Sequence, residues 1–139
     1  MSQREYVLLL GSNLGDTKKN IQKALNALYN NGFNILKKSE FLLTEPAEFA
    51  SSNIFCNFAA SVSSPYSPMQ TLKTIKRIEI EMGRSQDSKA IGAYTDRIID
   101  IDIVTAGNLI FECKSLVIPH YKHLFERDFS KKLLENLGK

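Results

Sequence analysis

Two aspartates separated by one residue are the groups in this chain best suited to do chemistry. Residues 98–104 read IIDIDIV, so that Asp100 and Asp102 alternate with isoleucines. Because side chains on a strand alternate between faces, the two carboxylates share one face at about 7 Å, and the isoleucines share the other. Two anions so close need a compensating charge, which a hard cation such as Mg²⁺ supplies through oxygen ligands.

The same alternation is also typical of an exposed edge strand whose polar face simply meets water. Arg97, directly before the strand, favours the metal site. An arginine beside bound cations suits a polyphosphate ligand, because its guanidinium group pairs with phosphate oxygens.

A second possible metal site is the His-x-x-His spacing of His120 and His123. No cysteine or acidic ligand accompanies these histidines, so we expect no zinc there. The two cysteines, Cys56 and Cys113, lie far apart beside apolar stretches and are predicted to be buried free thiols.

Apolar patterns and turn signals predict the elements that position these groups. Four segments are predicted as strands: residues 6–10, 33–43, 55–63 and 98–105. The first should be central, and the second bent or interrupted at Lys37-Lys38. Asp16 or Thr17 can cap a first helix that ends at Asn31-Gly32.

Ser67, Pro68 and Gln70 form a capping-box pattern that predicts a second helix ending at Gly83. Residues 109–111 are expected to fold back on the fourth strand as a hairpin partner, and residues 128–137 to form a terminal helix.

The order strand, helix, strand, strand, helix, strand predicts an α+β fold of the ferredoxin-like βαββαβ type. Its sheet would be mostly antiparallel with helices packed on it, followed by a C-terminal appendage. Residues 1–139 suffice for a single domain. The net charge of +3 is too small for a dedicated nucleic-acid binder. No apolar run is long enough for a signal or a membrane span, so we expect a cytoplasmic protein.

Three motifs in sequence order resemble the 6-hydroxymethyl-7,8-dihydropterin pyrophosphokinase family. They are LGSNL at residues 10–14, RIIDIDI at residues 97–103 and PHY at residues 119–121. The resemblance runs from the first strand to Phe129. It implies a ferredoxin-like fold and an enzyme of folate biosynthesis that uses ATP and two Mg²⁺ ions. The family transfers pyrophosphate to the pterin hydroxymethyl oxygen and releases AMP. The implied partners are small molecules, without nucleic acid or membrane, and the implied state is a monomer.

The resemblance also assigns roles to residues of this chain. The metal ligands would be Asp100 and Asp102. The catalytic groups would be these two aspartates together with Arg84 and Arg97. The pterin site would consist of Thr44, Pro46, Phe55, Asn57 and Phe129. The nucleotide site would consist of Glu79, Arg84, Tyr94, Arg97, Ile103, His120, Tyr121 and Arg127.

Several of these residue types fit the chemistry, although each has a plainer interpretation. Phe55 and Phe129 could sandwich a flat pterin ring, or simply pack in the core. Asn57 has both a donor and an acceptor for the amide-like edge of the ring. Glu79 lies on the same face of the predicted second helix as several apolar residues. It could contact the nucleotide, or it could simply lie at the rim of the helix.

The chain departs from the family pattern before the aspartates. It has Tyr94-Thr95-Asp96 where the family usually has Trp-Gly-Pro, the loop from Arg84 to Arg97 is longer, and the chain ends early after the Phe129 region. A degenerate relative that binds pterin or nucleotide with little catalysis is therefore the alternative. An RNA-binding module, which the same element order can form, is disfavoured because residues 55–61 contain no basic residue.

Overall fold

The computed structural model describes residues 3–45, 54–83 and 97–138. Within these ranges the strands are β1 (Arg4–Ser12), β2 (Asn34–Lys38), β3 (Leu42–Thr44), β4 (Phe55–Ser64), β5 (Asp100–Ala106), β6 (Phe111–Cys113) and β7 (Leu116–Ile118). The α-helices are α1 (Thr17–Asn30), α2 (Pro68–Glu81) and α3 (Asp128–Leu137), and a π-helix spans Lys122–Glu126 just before α3.

The main sheet has the order β2-β4-β1-β5, and β3 pairs with β4 beside β2. Every pairing in it is antiparallel. This order confirms the predicted α+β fold with a mostly antiparallel sheet, and it places β1 in the centre, as its continuous apolar run indicated. The strand with the two aspartates, β5, lies at the edge.

The helix starts follow the capping residues found in the sequence. The Ser67 hydroxyl accepts a hydrogen bond from the Gln70 backbone N–H at 3.2 Å, and the Gln70 side chain accepts one from the Ser67 N–H at 3.3 Å. This reciprocal pair is the predicted capping box of α2. Asp16 caps α1 by accepting from the Lys19 N–H.

The sheet separates two apolar clusters. The larger cluster lies under α1 and α2 and contains Leu8, Leu10 and the three isoleucines Ile99, Ile101 and Ile103. The smaller one contains Leu9, Ala59 and Val104 from the sheet together with Leu133 and Leu137 of α3. One face of the sheet is therefore covered by α1 and α2 and the other partly by α3, and the predicted inward orientation of the isoleucines is confirmed.

The second predicted strand is both bent and interrupted: its register with β4 shifts between Ile35 and Lys37, and the strand ends after Lys38. β2 runs through Lys37-Lys38, and the interruption falls between it and β3. There the Ser39 N–H bonds to the Ala59 carbonyl at 2.9 Å, and the Ser39 hydroxyl accepts from the Ala59 N–H at 2.8 Å. A serine side chain thus replaces one backbone group of the ladder, which lets the chain bend without losing hydrogen bonds.

The hairpin predicted between residues 109–111 and the fourth strand is wrong. Phe111 begins β6, which pairs with β7 in a separate two-stranded sheet. The outer edge of β5 is occupied otherwise: Ile101 N–H donates to Glu79, and the Val104 carbonyl accepts from the His120 N–H at 2.9 Å. Among the residues described, no helix has the length and apolar character needed to cross a membrane.

Candidate active site

Asp100 and Asp102 lie on the same face of β5, as the alternation predicted. In the register with β1, Asp100 is opposite Gly11 and Asp102 is opposite Leu9. Their side chains are 28% and 35% exposed. Both carboxylates therefore stand at the rim of the face that α3 partly covers, neither fully buried nor fully solvated.

Arg97 pairs with the first aspartate and is itself held by the chain. Its Nη1 lies 3.4 Å from Oδ1 of Asp100. The buried side chain of Asn13 accepts from the Arg97 N–H at 2.6 Å, and the Asn13 N–H donates to the Arg97 carbonyl at 3.0 Å. The LGSNL segment thus fixes the backbone of Arg97 where its guanidinium group can reach the carboxylate.

The second aspartate is held by a histidine from the π-helix. Oδ2 of Asp102 lies 2.8 Å from Nε2 of His123, and the other ring nitrogen of this histidine lies 2.7 Å from the hydroxyl of Ser130. His123 and Ser130 are buried. His123 was considered only as part of the His-x-x-His pair, and Ser130 was missed because it belongs to none of the recognised motifs.

The histidine pair does have an acidic neighbour in the fold, contrary to the expectation from the sequence. Asp102, His120 and His123 each offer a ligand atom, and these three atoms lie within 4.8 Å of one another. The acidic group lies eighteen or more positions earlier in the sequence, on a strand, and only the fold brings it to the histidines.

The surroundings set the charge of these groups. Burial by itself raises the pKa of Asp102, but the hydrogen bond to His123 and the charges of His123, His120 and Arg127 together hold this pKa below its ordinary value. Asp102 is therefore an anion at neutral pH. Burial, assisted by the neighbouring His123 charge, lowers the pKa of His120, so that its ring is neutral there.

A cavity of about 520 Å³ opens along the outer edge of β5. Asp102 and four residues predicted for the nucleotide site line it: Ile103, His120, Tyr121 and Arg127. Three lysines that the sequence argument did not single out also line it: Lys76, Lys114 and Lys122. A cavity with one carboxylate and several cations in its wall suits a polyanion that is bound together with a divalent cation.

Three of the residues predicted for the pterin site lie together on the same face of the sheet as the aspartates. Asn57 donates to the Thr44 hydroxyl at 2.8 Å and to the Leu42 carbonyl at 3.2 Å. Phe55 is the strand partner of Thr44. The amide of Asn57 is thus fixed in orientation, which a group that reads a ligand edge requires.

Gly11 lies between these residues and the two aspartates of β5. It is the strand partner of Asn57 on one side and of Asp100 on the other. A methyl group placed on Gly11 would lie 3.6 Å from Oδ1 of Asn57. Because glycine has no side chain, the sheet surface between the amide and the carboxylate stays open to a flat molecule.

Two further predicted residues take positions that the pattern alone did not reveal. Phe129, in α3, is half-buried with its ring edge-on to His123 at 6.2 Å between centroids. Glu79 is buried, and its Oε2 accepts from the Ile101 N–H at 2.8 Å. Glu79 therefore anchors the strand that carries the aspartates. Pro46, Arg84 and Tyr94 lie outside the described residues.

A comparison with protein-family models gives one match over nearly the whole chain. Residues 7–139 match the model of 7,8-dihydro-6-hydroxymethylpterin-pyrophosphokinase. The chain belongs to this pyrophosphokinase family. The family predicted from the three motifs is thus confirmed, and with it the reaction class, pyrophosphate transfer in folate synthesis.

Curated relatives agree with the family assignment. A 2-amino-4-hydroxy-6-hydroxymethyldihydropteridine pyrophosphokinase of Porphyromonas gingivalis is 36% identical over 132 residues, which cover 94% of this chain and 88% of that protein. A mitochondrial folate synthesis bifunctional protein of Pisum sativum is 33% identical over 125 residues, or 90% of this chain. The chain spans only 23% of the length of the pea protein.

Proposed function

We propose that this pyrophosphokinase transfers the β,γ-pyrophosphoryl group of ATP to the hydroxymethyl oxygen of 6-hydroxymethyl-7,8-dihydropterin. The products are the pterin diphosphate and AMP. Asp100 and Asp102 hold the Mg²⁺ ions, expected to be two, that accompany the nucleotide. The chain acts as a monomer in the cytoplasm.

The observation that carries the proposal is the arrangement across one face of the sheet. Asp100, Gly11 and Asn57 are successive neighbours on β5, β1 and β4. The cavity with the predicted nucleotide residues adjoins Asp102 at the strand edge. A pterin over Gly11 and a triphosphate at the cavity would thus meet at the aspartates, which is the proximity that a group transfer needs.

The donor set fits a hard divalent cation. Two half-exposed carboxylates on one strand face provide oxygen ligands, and the lowered pKa keeps Asp102 ionised. When bound, Mg²⁺ neutralises the charge that builds up on the phosphate oxygens during transfer. His123 and Arg97 each contact one aspartate, so both ligands are oriented before a cation arrives.

The protein side chains have distinct parts in the reaction. Asn57 and Thr44 orient the pterin, with Phe55 and Phe129 offering aromatic faces to its ring. Arg97 and Arg127, together with Arg84, pair with phosphate oxygens, while His120 and Tyr121 contact the nucleotide. The pterin oxygen then forms a bond to the β-phosphorus in line with the bond to the α-phosphate, which breaks and leaves AMP.

An AMP-release assay with and without the pterin tests this function. We expect AMP to form only when ATP, Mg²⁺ and the pterin are all present, because the acceptor oxygen belongs to the pterin. Binding of both ligands without AMP release would instead identify the chain as a degenerate relative. Release of AMP at the same rate without the pterin would show hydrolysis and contradict the proposal.

A further inference from the structure

We propose that Asp102, His120 and His123 form a binding site for a borderline transition-metal ion such as Zn²⁺ or Co²⁺. This site is distinct in its ligands from the two-aspartate Mg²⁺ site, although both use Asp102. The binding itself does not depend on the proposed reaction, since it involves neither ATP nor pterin.

The ligand atoms already converge without an ion. One atom from each of the three side chains lies within 4.8 Å of the other two. The rings of His120 and His123 are 4.2 Å apart between centroids and tilted by 36°. Two imidazoles and one carboxylate with an open fourth position are a common ligand set for zinc in proteins.

Hydrogen bonds hold the two rings of the proposed site. Nδ1 of His120 accepts from the His123 backbone N–H at 3.3 Å, so Nδ1 carries the lone pair and the proton of the neutral ring lies on Nε2. An ion at this ring replaces either the long contact at Nδ1 or the proton at Nε2. Nδ1 of His123 lies 2.7 Å from the buried Ser130 hydroxyl, and its Nε2 faces Asp102. A histidine ligand whose second nitrogen bonds to a neighbouring group is the usual arrangement at metal sites.

The spacing between His123 and Asp102 needs little adjustment. Nε2 of His123 and Oδ2 of Asp102 are 2.8 Å apart, a distance at which a proton joins them. Two ligand atoms at about 2.0 Å from a tetrahedral ion lie roughly 3.3 Å apart. An opening of about 0.5 Å would therefore replace that proton by the ion, with the Ser130 contact kept.

One neighbouring charge opposes the ion. Nη1 of Arg127 lies 3.4 Å from Nε2 of His123, and a guanidinium group repels a dication at that distance. Arg127 is half-buried at the end of the π-helix and borders the open cavity. Its side chain can therefore turn into the cavity when the metal binds.

The ligand types separate this site from the magnesium site. Imidazole favours zinc, cobalt and nickel, whereas Mg²⁺ prefers oxygen ligands. An ion held by the histidines takes Asp102 away from Mg²⁺, so a transition metal at this site should act as an antagonist of catalysis. This last consequence rests on the proposed function.

Titration of the full chain with Co²⁺, in the absence of ATP and pterin, tests the site directly. We expect one Co²⁺ per chain with the intensified visible absorption of an ion in a low-symmetry, nitrogen-containing site. His120 and His123 are the only two histidines of the chain, so a spectrum of imidazole-bound Co²⁺ can come only from these two residues. His120→Asn and His123→Asn should each weaken Co²⁺ affinity at least about tenfold.

Cys113→Ser is the matched control, because this half-buried free thiol is the accessible soft ligand among the described residues outside the cluster. It should leave Co²⁺ affinity and the spectrum unchanged. Equal Co²⁺ affinity in the parent chain and both histidine variants would overturn the proposal. So would a loss of binding in Cys113→Ser.

A second measurement on the unaltered chain covers the case in which a histidine variant does not fold. Nitrogen NMR of the two imidazoles during a Zn²⁺ titration should show one ring nitrogen of each histidine shifting together, with a common saturation point. Imidazole resonances that stay unchanged at excess Zn²⁺ would contradict the site.

Discussion

His123 lies 2.8 Å from Asp102 through Nε2 and Oδ2, so a buried histidine fixes one of the two aspartates on β5. The histidine belongs to the π-helix, and the hydroxyl of Ser130 in α3 holds its other nitrogen. A strand, a π-helix and an α-helix thus set the direction of one carboxylate together. Support of this kind keeps a ligand in place while substrates bind and leave.

Asp102→Asn should lower turnover by about three orders of magnitude, because it removes an anionic metal ligand that contributes several kcal/mol to the transition state. Initial rates of AMP formation at saturating ATP, Mg²⁺ and pterin measure the loss. Glu112→Gln, an exposed change on β6, is the control for altered net charge and should keep the parent rate. A rate within threefold of the parent for Asp102→Asn would refute the ligand role.

Two substitutions of Gly11 should show whether pterin binding needs the open sheet surface at this position, independently of any effect on folding. A methyl group at this position meets its nearest neighbour at 3.6 Å, an ordinary contact, so Gly11→Ala should fold with little loss of stability. Gly11→Leu would extend a side chain over the space between Asn57 and Asp100. We expect at least tenfold weaker pterin binding for Leu than for Ala, measured by calorimetry. Equal pterin affinity in the two variants would show that the ligand lies elsewhere.

Glu79 should contribute more to stability than to nucleotide binding. Glu79→Ala leaves the buried Ile101 N–H without its acceptor, which should cost about 2 kcal/mol in the free energy of unfolding. Glu79→Gln keeps an oxygen that can accept and should cost less. Urea denaturation measures both. If Glu79→Gln instead unfolds like the parent but loses tenfold in ATP affinity, the glutamate contacts the nucleotide directly.

Stability should fall in alkaline solution because of Tyr6. Burial raises the pKa of its phenol above the ordinary 10.0, and the neutral hydroxyl donates to the Tyr66 carbonyl. The folded state therefore holds this proton more tightly than the unfolded state. The contribution is complete below pH 10 and is lost as the pH rises toward the raised pKa. Thermal melting between pH 8 and about 11.5 measures the decline.

Tyr6→Phe provides the comparison for that pH series. It should be less stable at pH 8 by about 1 kcal/mol, since it lacks the hydrogen bond to Tyr66. Its loss of stability above pH 10 should be shallower than that of the parent. A parallel decline in both proteins would mean that other groups cause the alkaline unfolding.

Local patterns were sufficient for most of the fold. The alternation of residues 98–104 determined which side chains of β5 enter the core, and the capping box of Ser67 and Gln70 set the start of α2. These features depend on residues within about four positions of one another, so they can be predicted from the sequence.

The parts that could not be predicted depend on contacts between distant segments. The pairing of β6 with β7 follows from the outer edge of β5 being satisfied by Glu79 and by the His120 N–H. The partnership of His123 with Asp102 joins residues 21 positions apart. Neither contact corresponds to a periodic pattern or a fixed spacing in the sequence, so only the folded structure shows it.

The π-helix contributes one of the two histidines that cluster with Asp102. The sequence shows no acidic ligand beside His120 and His123, because Asp102 lies eighteen or more positions earlier. The chain enters the wider π-helix between the two histidines and turns toward β5. A π-helix is rare, and it often marks a functional site.

Phosphorus NMR of the reaction mixture tests the central claim most directly, because it shows which bond of ATP is broken. With Mg²⁺ and the pterin present, we predict that the three ATP signals give way to one AMP signal and a pair of coupled diphosphate signals in a 1:1 ratio. The appearance of ADP or inorganic phosphate in place of these products, or unchanged ATP in the presence of bound pterin, would contradict the account.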